Sequence, residues 1–147
     1  MKAASARGKA RRYVLDANAV LGFVEDRPVA AIRVRRLFEE AFRTDLPLLL
    51  SAVNWGEVFY VAWRQHGEIM ARQVEASLRR FPIVVIPADL DRATRAAAIK
   101  QRHNLGYADA FAAELAIERD AWLVTADPDF SRMGKSLSVF SLPRHED

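Results

Sequence analysis

Apolar positions along this chain fall into two rhythms. Short, mostly apolar runs at Tyr13 to Leu15, Leu48 to Leu50, Ile83 to Ile86, Ala121 to Thr125 and Leu137 to Leu142 have the length of strands and are bounded by turn or charged residues. The segments between them space their apolar residues by three and four. Pro28 to about Arg43 carries Val29, Ile32, Leu37, Phe38, Ala41 and Phe42 in this way, opened by a proline suited to a first turn and broken by Asp45 to Pro47. Arg33, Arg35 and Arg36 decorate its polar side. After Ser51 ends the second strand, Asn54-Trp55-Gly56-Glu57 opens a helix with Trp55, Phe59 and Trp63 on one stripe. Gln65-His66-Gly67 turns the chain into a further helix ending near Arg80. Asp89 or Asp91 caps an alanine-rich helix to about Arg102, closed by His103-Asn104-Leu105-Gly106, and Tyr107 to Arg119 forms another. Asp16-Ala17-Asn18 reads as a cap that opens a helix at Ala19, and Asp127-Pro128-Asp129-Phe130 as the start of a short turn or helix.

Strands separated by helices require a parallel sheet covered on both faces. The expected fold is a three-layer α/β/α domain over residues 12–142 with a five-stranded, mainly parallel sheet in the order 3-2-1-4-5. At 147 residues the chain suits one domain, large enough to bury a core without a metal or disulfide as a staple. Hydrophobic residues make up 51% and charged residues 28%, which excludes wholesale disorder. Cysteine is absent, which excludes thiolate chemistry and cysteine-based zinc sites and fits a reducing compartment. No apolar run is long enough to span a bilayer and no signal-peptide segment is evident, so a cytoplasmic protein without a membrane partner is expected. Net charge is +3 and the pI about 9.6, which permits nucleic-acid binding. Lys2, Arg7, Lys9, Arg11 and Arg12 suggest a basic, flexible leader over residues 1–11, and residues 143–147 a polar tail.

Topology selects the candidate site. In right-handed crossovers each helix starts at the carboxyl edge of the sheet and runs back to the amino edge. Asp16 follows the first strand and Asp127 the fourth; Glu57 lies early in the helix after the second strand. Asp109 opens the helix before the fourth strand, so it too starts at the carboxyl edge. Each acid alone has a structural explanation, as an N-cap, a capping box or a first-turn anion. Together they place four carboxylates on one rim, with Asp16 and Asp127 flanking the switch point where the strand order reverses. Converging carboxylates repel unless a cation joins them.

The blocks that carry this pattern are Tyr13-Val14-Leu15-Asp16-Ala17-Asn18, Asn54-Trp55-Gly56-Glu57-Val58, Gly106-Tyr107-Ala108-Asp109-Ala110-Phe111 and Leu123-Val124-Thr125-Ala126-Asp127-Pro128-Asp129-Phe130. In kind and order they resemble the four acidic blocks of PIN domains, most of all those of VapC-type toxins from bacterial toxin–antitoxin pairs. The resemblance spans nearly all of the chain after the leader. It implies a metal-dependent endoribonuclease, neutralised by a cognate VapB-like antitoxin and assembled as a homodimer. By position it makes Asp16, Glu57, Asp109 and Asp127 the acidic quartet, Asp129 an auxiliary acid, and Asn18 and Thr125 polar supports. The basic leader is longer than such toxins usually have.

Mg²⁺ or Mn²⁺ takes hard oxygen ligands and keeps several waters, so a few direct carboxylates suffice. Asp16 and Asp127 are the expected direct ligands, and Glu57 and Asp109 the groups that position waters or a second ion. His66, His103 and His145 lack zinc-ligand spacing, Ser51, Ser77 and Ser131 lack a nucleophile elbow, and no glycine-rich phosphate loop occurs. Trp55, Phe59 and Trp63 read as core or dimer contacts, the three arginines as a solvated helix face, and the apolar faces of the first two helices as a groove for an antitoxin helix. Two other functions fit part of the pattern. A haloacid-dehalogenase-like phosphatase would need an aspartate where Asn18 stands, and a non-catalytic RNA- or protein-binding module would not need every acid.

Overall fold

The computed structural model describes residues 11–144. Most of the expected leader, and His145 with the end of the tail, lie outside the described residues. The elements in chain order are β1 (Tyr13–Leu15), α1 (Ala17–Val24), α2 (Pro28–Thr44), β2 (Leu48–Ser51), α3 (Ala52–His66), α4 (Glu68–Leu78) and β3 (Ile83–Ile86). There follow α5 (Leu90–His103), α6 (Tyr107–Glu118), β4 (Trp122–Thr125), a 3-10 segment (Pro128–Ser136) kinked at Gly134, and β5 (Val139–Ser141). The sheet order is β3-β2-β1-β4-β5, as expected, and every pairing is parallel rather than most of them. Each connection contains helical residues that carry the chain back to the amino edge, which leaves no place for an antiparallel pair.

Central position explains the burial of β1. Val14 and Leu15 have no exposed surface and point to opposite faces. On the Leu15 face, α1, α2, α3 and α4 pack Val20, Val34, Phe38, Val58 and Val74 into one core. There Phe38 stacks on Phe81 at 4.9 Å while Phe23 meets both rings edge-on, at 4.9 and 5.1 Å. On the Val14 face, α6 and the 3-10 segment supply Ala112, Ala113, Leu115, Phe130 and Met133. The α5 helix covers α6 and buries Ala96 against Phe111. Being covered on both sides, α6 is apolar all round, and its buried Glu114 is held by Arg92 at 3.1 Å and Arg95 at 2.9 Å.

Element boundaries differ from the sequence reading where a cap competes. Asp16 itself caps α1, so that helix starts at Ala17 rather than Ala19. Ser51 accepts from the Val53 amide at 3.2 Å and caps α3, which places Asn54 and Glu57 inside the helix rather than at its opening. Asp89, not Asp91, caps α5. The α4 helix stops at Leu78 rather than Arg80, and β5 is limited to the residues that pair with β4. Arg11, assigned to the leader, lies with its guanidinium 4.3 Å from the Trp122 ring centre.

Truncating Leu15 to alanine should cost about 2–5 kcal/mol in a denaturant titration, as for other fully buried leucines. A loss below about 1 kcal/mol would mean that β1 is not the packed centre of the sheet.

Candidate acidic site at the carboxyl edge of the sheet

Asp16 stands one residue beyond β1 and is 2% exposed. Its Oδ1 accepts from the Ala17 amide and its Oδ2 from the Thr125 hydroxyl, both at 2.8 Å. The Thr125 oxygen in turn accepts from the Asp127 amide at 3.0 Å, and Asn18 Oδ1 accepts from the Ala126 amide at 3.0 Å. These bonds stitch the start of α1 to the end of β4, where the Asp127 backbone shares the Thr125 hydroxyl with Asp16. Asp127 is half-buried and caps the 3-10 segment through the Asp129 amide at 2.9 Å. Asn18 and Thr125 are the side chains through which these contacts run.

Glu57 and Asp109 come from the helices that face each other across this edge. Asn54 joins them. It is fully buried, and its Nδ2 donates to the Ala108 carbonyl at 3.0 Å, which ties the first turns of α3 to those of α6 immediately before Asp109. Read from sequence, Asn54 was a helix-opening residue; the only hint of more was its place one helical turn before Glu57. Gly106 contributes by lacking a side chain, because a Cβ there would sit 3.2 Å from Asp109 Oδ2.

Electrostatics shows that the carboxyls share one environment. Burial, then repulsion from Asp109 and to a lesser extent Glu57, pushes Asp16 up to about 7, although bonds from Thr125 and Ala17 oppose the shift. Asp109 is pushed up to about 6 by burial, then by Asp127, Glu57 and Asp129. Burial also raises Glu57, against the neighbouring Asn54 amide, which favours its ionised form. Among the described residues no ion pair reaches Asp16, Glu57, Asp109 or Asp127, and only Asp129 has a guanidinium nearby, Arg132 at 3.4 Å.

This donor set fits a hard divalent cation. All its groups are oxygens, their repulsion calls for positive charge, and Glu57 Oε1 is buried with no hydrogen-bond partner. Among the described residues no three His, Asp or Glu side chains form a ready cage. His66 and His103 end α3 and α5, Ser51 is a cap, and Trp55 and Phe59 pack on the core while Trp63 stays 42% exposed. Arg33 donates to the Ser141 carbonyl at 3.1 Å, whereas Arg35 and Arg36 are exposed.

Comparison with known proteins now places the chain. The family model for the PIN domain matches residues 13–136, and the protein belongs to that family. Membership sets aside the dehalogenase-like phosphatase. A search of curated proteins gives no significant match. Among solved structures, DNA-bound VapBC from Salmonella typhimurium is similar at 18% identity and a TM-score of 0.72, covering 90% of this chain and 98% of that one. VapBC2 from Rickettsia felis, bound to a promoter fragment, gives 16%, 0.69, 88% and 97%. Mycobacterium tuberculosis VapC20, a sarcin-ricin loop cleaving toxin, gives 18%, 0.63, 83% and 95%. At such identities the likeness is one of fold.

A pH prediction follows from Asp16, whose folded-state pKa of about 7 lies above its ordinary 3.8. The folded state holds the proton more tightly, so stability linked to this group is complete below about pH 3.8 and is lost as pH rises through 7. In EDTA, the melting temperature should fall between about pH 4 and 7, and Asp16→Asn should flatten that fall. An equally steep fall in the variant would remove Asp16 as its source.

Proposed function

We propose that this PIN domain is a metal-dependent endoribonuclease, the VapC-type toxin of a toxin–antitoxin pair, which hydrolyses RNA phosphodiester bonds. One observation carries the reading. Asp16, Glu57, Asp109 and Asp127 come from separate elements to one rim, and no cation among the described residues offsets them. A non-catalytic module would gain nothing from such repulsion.

Mg²⁺ or Mn²⁺, held there by Asp16 and Asp127, would supply Lewis-acid activation of water and offset charge on the attacked phosphate. The protein's own part is positioning. Thr125 and the Ala17 amide fix both oxygens of Asp16, and Asn18 with Thr125 fixes the backbone that presents Asp127. Asp109, with its pKa near 6, and Glu57, also raised, orient the attacking water and are suited to take its proton as it adds to phosphorus and the bond to the ester oxygen breaks. Asp129, paired with Arg132, is an auxiliary acid at the margin.

A cognate VapB-like antitoxin is the partner this reading supplies, since several similar structures are VapBC complexes. On α2, Val34, Leu37 and Phe38 are spent on the core while Val29, Ile32 and Phe42 stay exposed, and a further open apolar surface lies where α1 meets α3 and α4. A groove of about 240 Å³ there is lined by Leu21, Val24, Ala62, Met70 and Val74 and suits an amphipathic helix. We also assign the protein a homodimeric state.

The test incubates the purified chain with structured RNAs, with Mn²⁺ or with EDTA. Cleavage should need the metal, and Asp16→Asn should abolish it, by roughly 100-fold or more, while circular dichroism stays unchanged. Full activity in the variant, or no cleavage by wild type, would end this reading.

A further inference from the structure

Arg132 is the cation at the lip of the acid cluster. Its Nη1 donates to the Asn104 carbonyl at 2.8 Å and its Nη2 lies 3.4 Å from Asp129, so the guanidinium is pinned between the 3-10 segment and the α5–α6 turn. With 45% of its side chain exposed, it still faces solvent. On the far side of that turn, the last turn of α5 adds Lys100, Arg102 and His103. Lys100 bonds the Leu105 carbonyl, whereas Arg102 has no ion pair among the described residues. A groove of about 540 Å³ opens between α5, α6 and the 3-10 segment, lined by Ile99, Arg102, His103, Ile117 and Met133 with Glu114 and Glu118; Arg132 stands outside this lining, next in the chain to Met133 and bonded to Asn104, the neighbour of His103. The carboxylates along it, Glu114 and Glu118, are already matched by Arg92, Arg95 and Arg119. What the groove offers an incoming molecule is therefore positive charge over an apolar floor.

We infer that this groove is the path of single-stranded RNA leaving the acid cluster, with phosphates on Arg132 and Arg102 and base faces over Ile99, Ile117 and Met133. The inference rests on the ribonuclease reading and adds where the substrate lies. Single strands fit because their bases are free to meet an apolar floor, while a duplex hides them and presents only its backbone. The competing basic face, Arg35 and Arg36 on α2, is exposed, and Arg33 of that helix is engaged by Ser141. Arg132 also has the right neighbour, because a phosphate beside it would stand next to Asp129 and Asp109.

The experiment uses the full chain carrying Asp16→Asn, so that RNA survives, and a fluorescent single strand of about 10 nucleotides followed by anisotropy between about 50 and 200 mM salt. Arg132→Ala and Arg102→Ala should each weaken binding about fivefold and reduce the salt slope by about 0.7. Arg35→Ala should leave both unchanged, and a duplex of equal length should bind more weakly. Arg102 is exposed and unpaired, so its variant keeps the test valid if Arg132→Ala disturbs the turn. If wild type cuts RNA with Mn²⁺ but the groove variants bind like their parent, or Arg35→Ala loses as much, the path is wrong and the nuclease reading stands. If wild type neither binds nor cuts RNA, both fall.

Discussion

The fold turns on a carboxylate that burial leaves uncompensated. Asp16 is placed by the central strand, between residues with no exposed surface, where a charge is costly. Both its oxygens are taken by neutral donors, the Ala17 amide and the Thr125 hydroxyl. Such bonds hold a carboxylate in one orientation without cancelling its charge. The protein has thus fixed the geometry of Asp16 and left its electrostatics unfinished, and Asp109 adds to the deficit.

The same molecule handles another buried carboxylate differently. Glu114 is as deeply buried as Asp16, yet two guanidiniums reach it, one of them itself largely buried. Glu114 serves to clamp α5 onto α6, a structural task that favours local neutrality. The chain therefore has arginines enough, and uses them where carboxylates are structural. Their absence from Asp16, Glu57, Asp109 and Asp127 separates the rim from an ordinary polar patch more firmly than any one motif.

Much of this was legible in the sequence because it depends on order and period. Short apolar runs, helical spacing and the handedness of crossovers led to the strand order and to four acids on one edge. What was not legible depends on contacts between distant positions or on competition between neighbours. Ser51 and Asn54 are both good caps, and only the folded backbone decides that Ser51 takes the role and frees Asn54 to reach Ala108. The chain of bonds from Asp16 through Thr125 to Asp127 crosses between the first and fourth strands, so no local pattern announces it. Arg132 lies in the same category, because its importance comes from Asn104, a residue of another helix's end. Val84 and Val85 lie in an apolar run that marks a strand, but the edge position of β3 leaves them 43% and 45% exposed.

The charges around the rim also impose a sequence of events. A cluster of acids repels a phosphate chain, and a cation at its lip attracts it, so Arg132 and the acids act in opposite directions on the same ligand. With the acids uncompensated, a strand would on the proposed RNA path be drawn to the groove and held off the rim. On the proposed nuclease reading, a divalent ion there would offset part of this charge and ease the approach of a phosphate to Asp16 and Asp127. Metal and substrate would then be coupled through electrostatics, each lowering the cost of the other's charge.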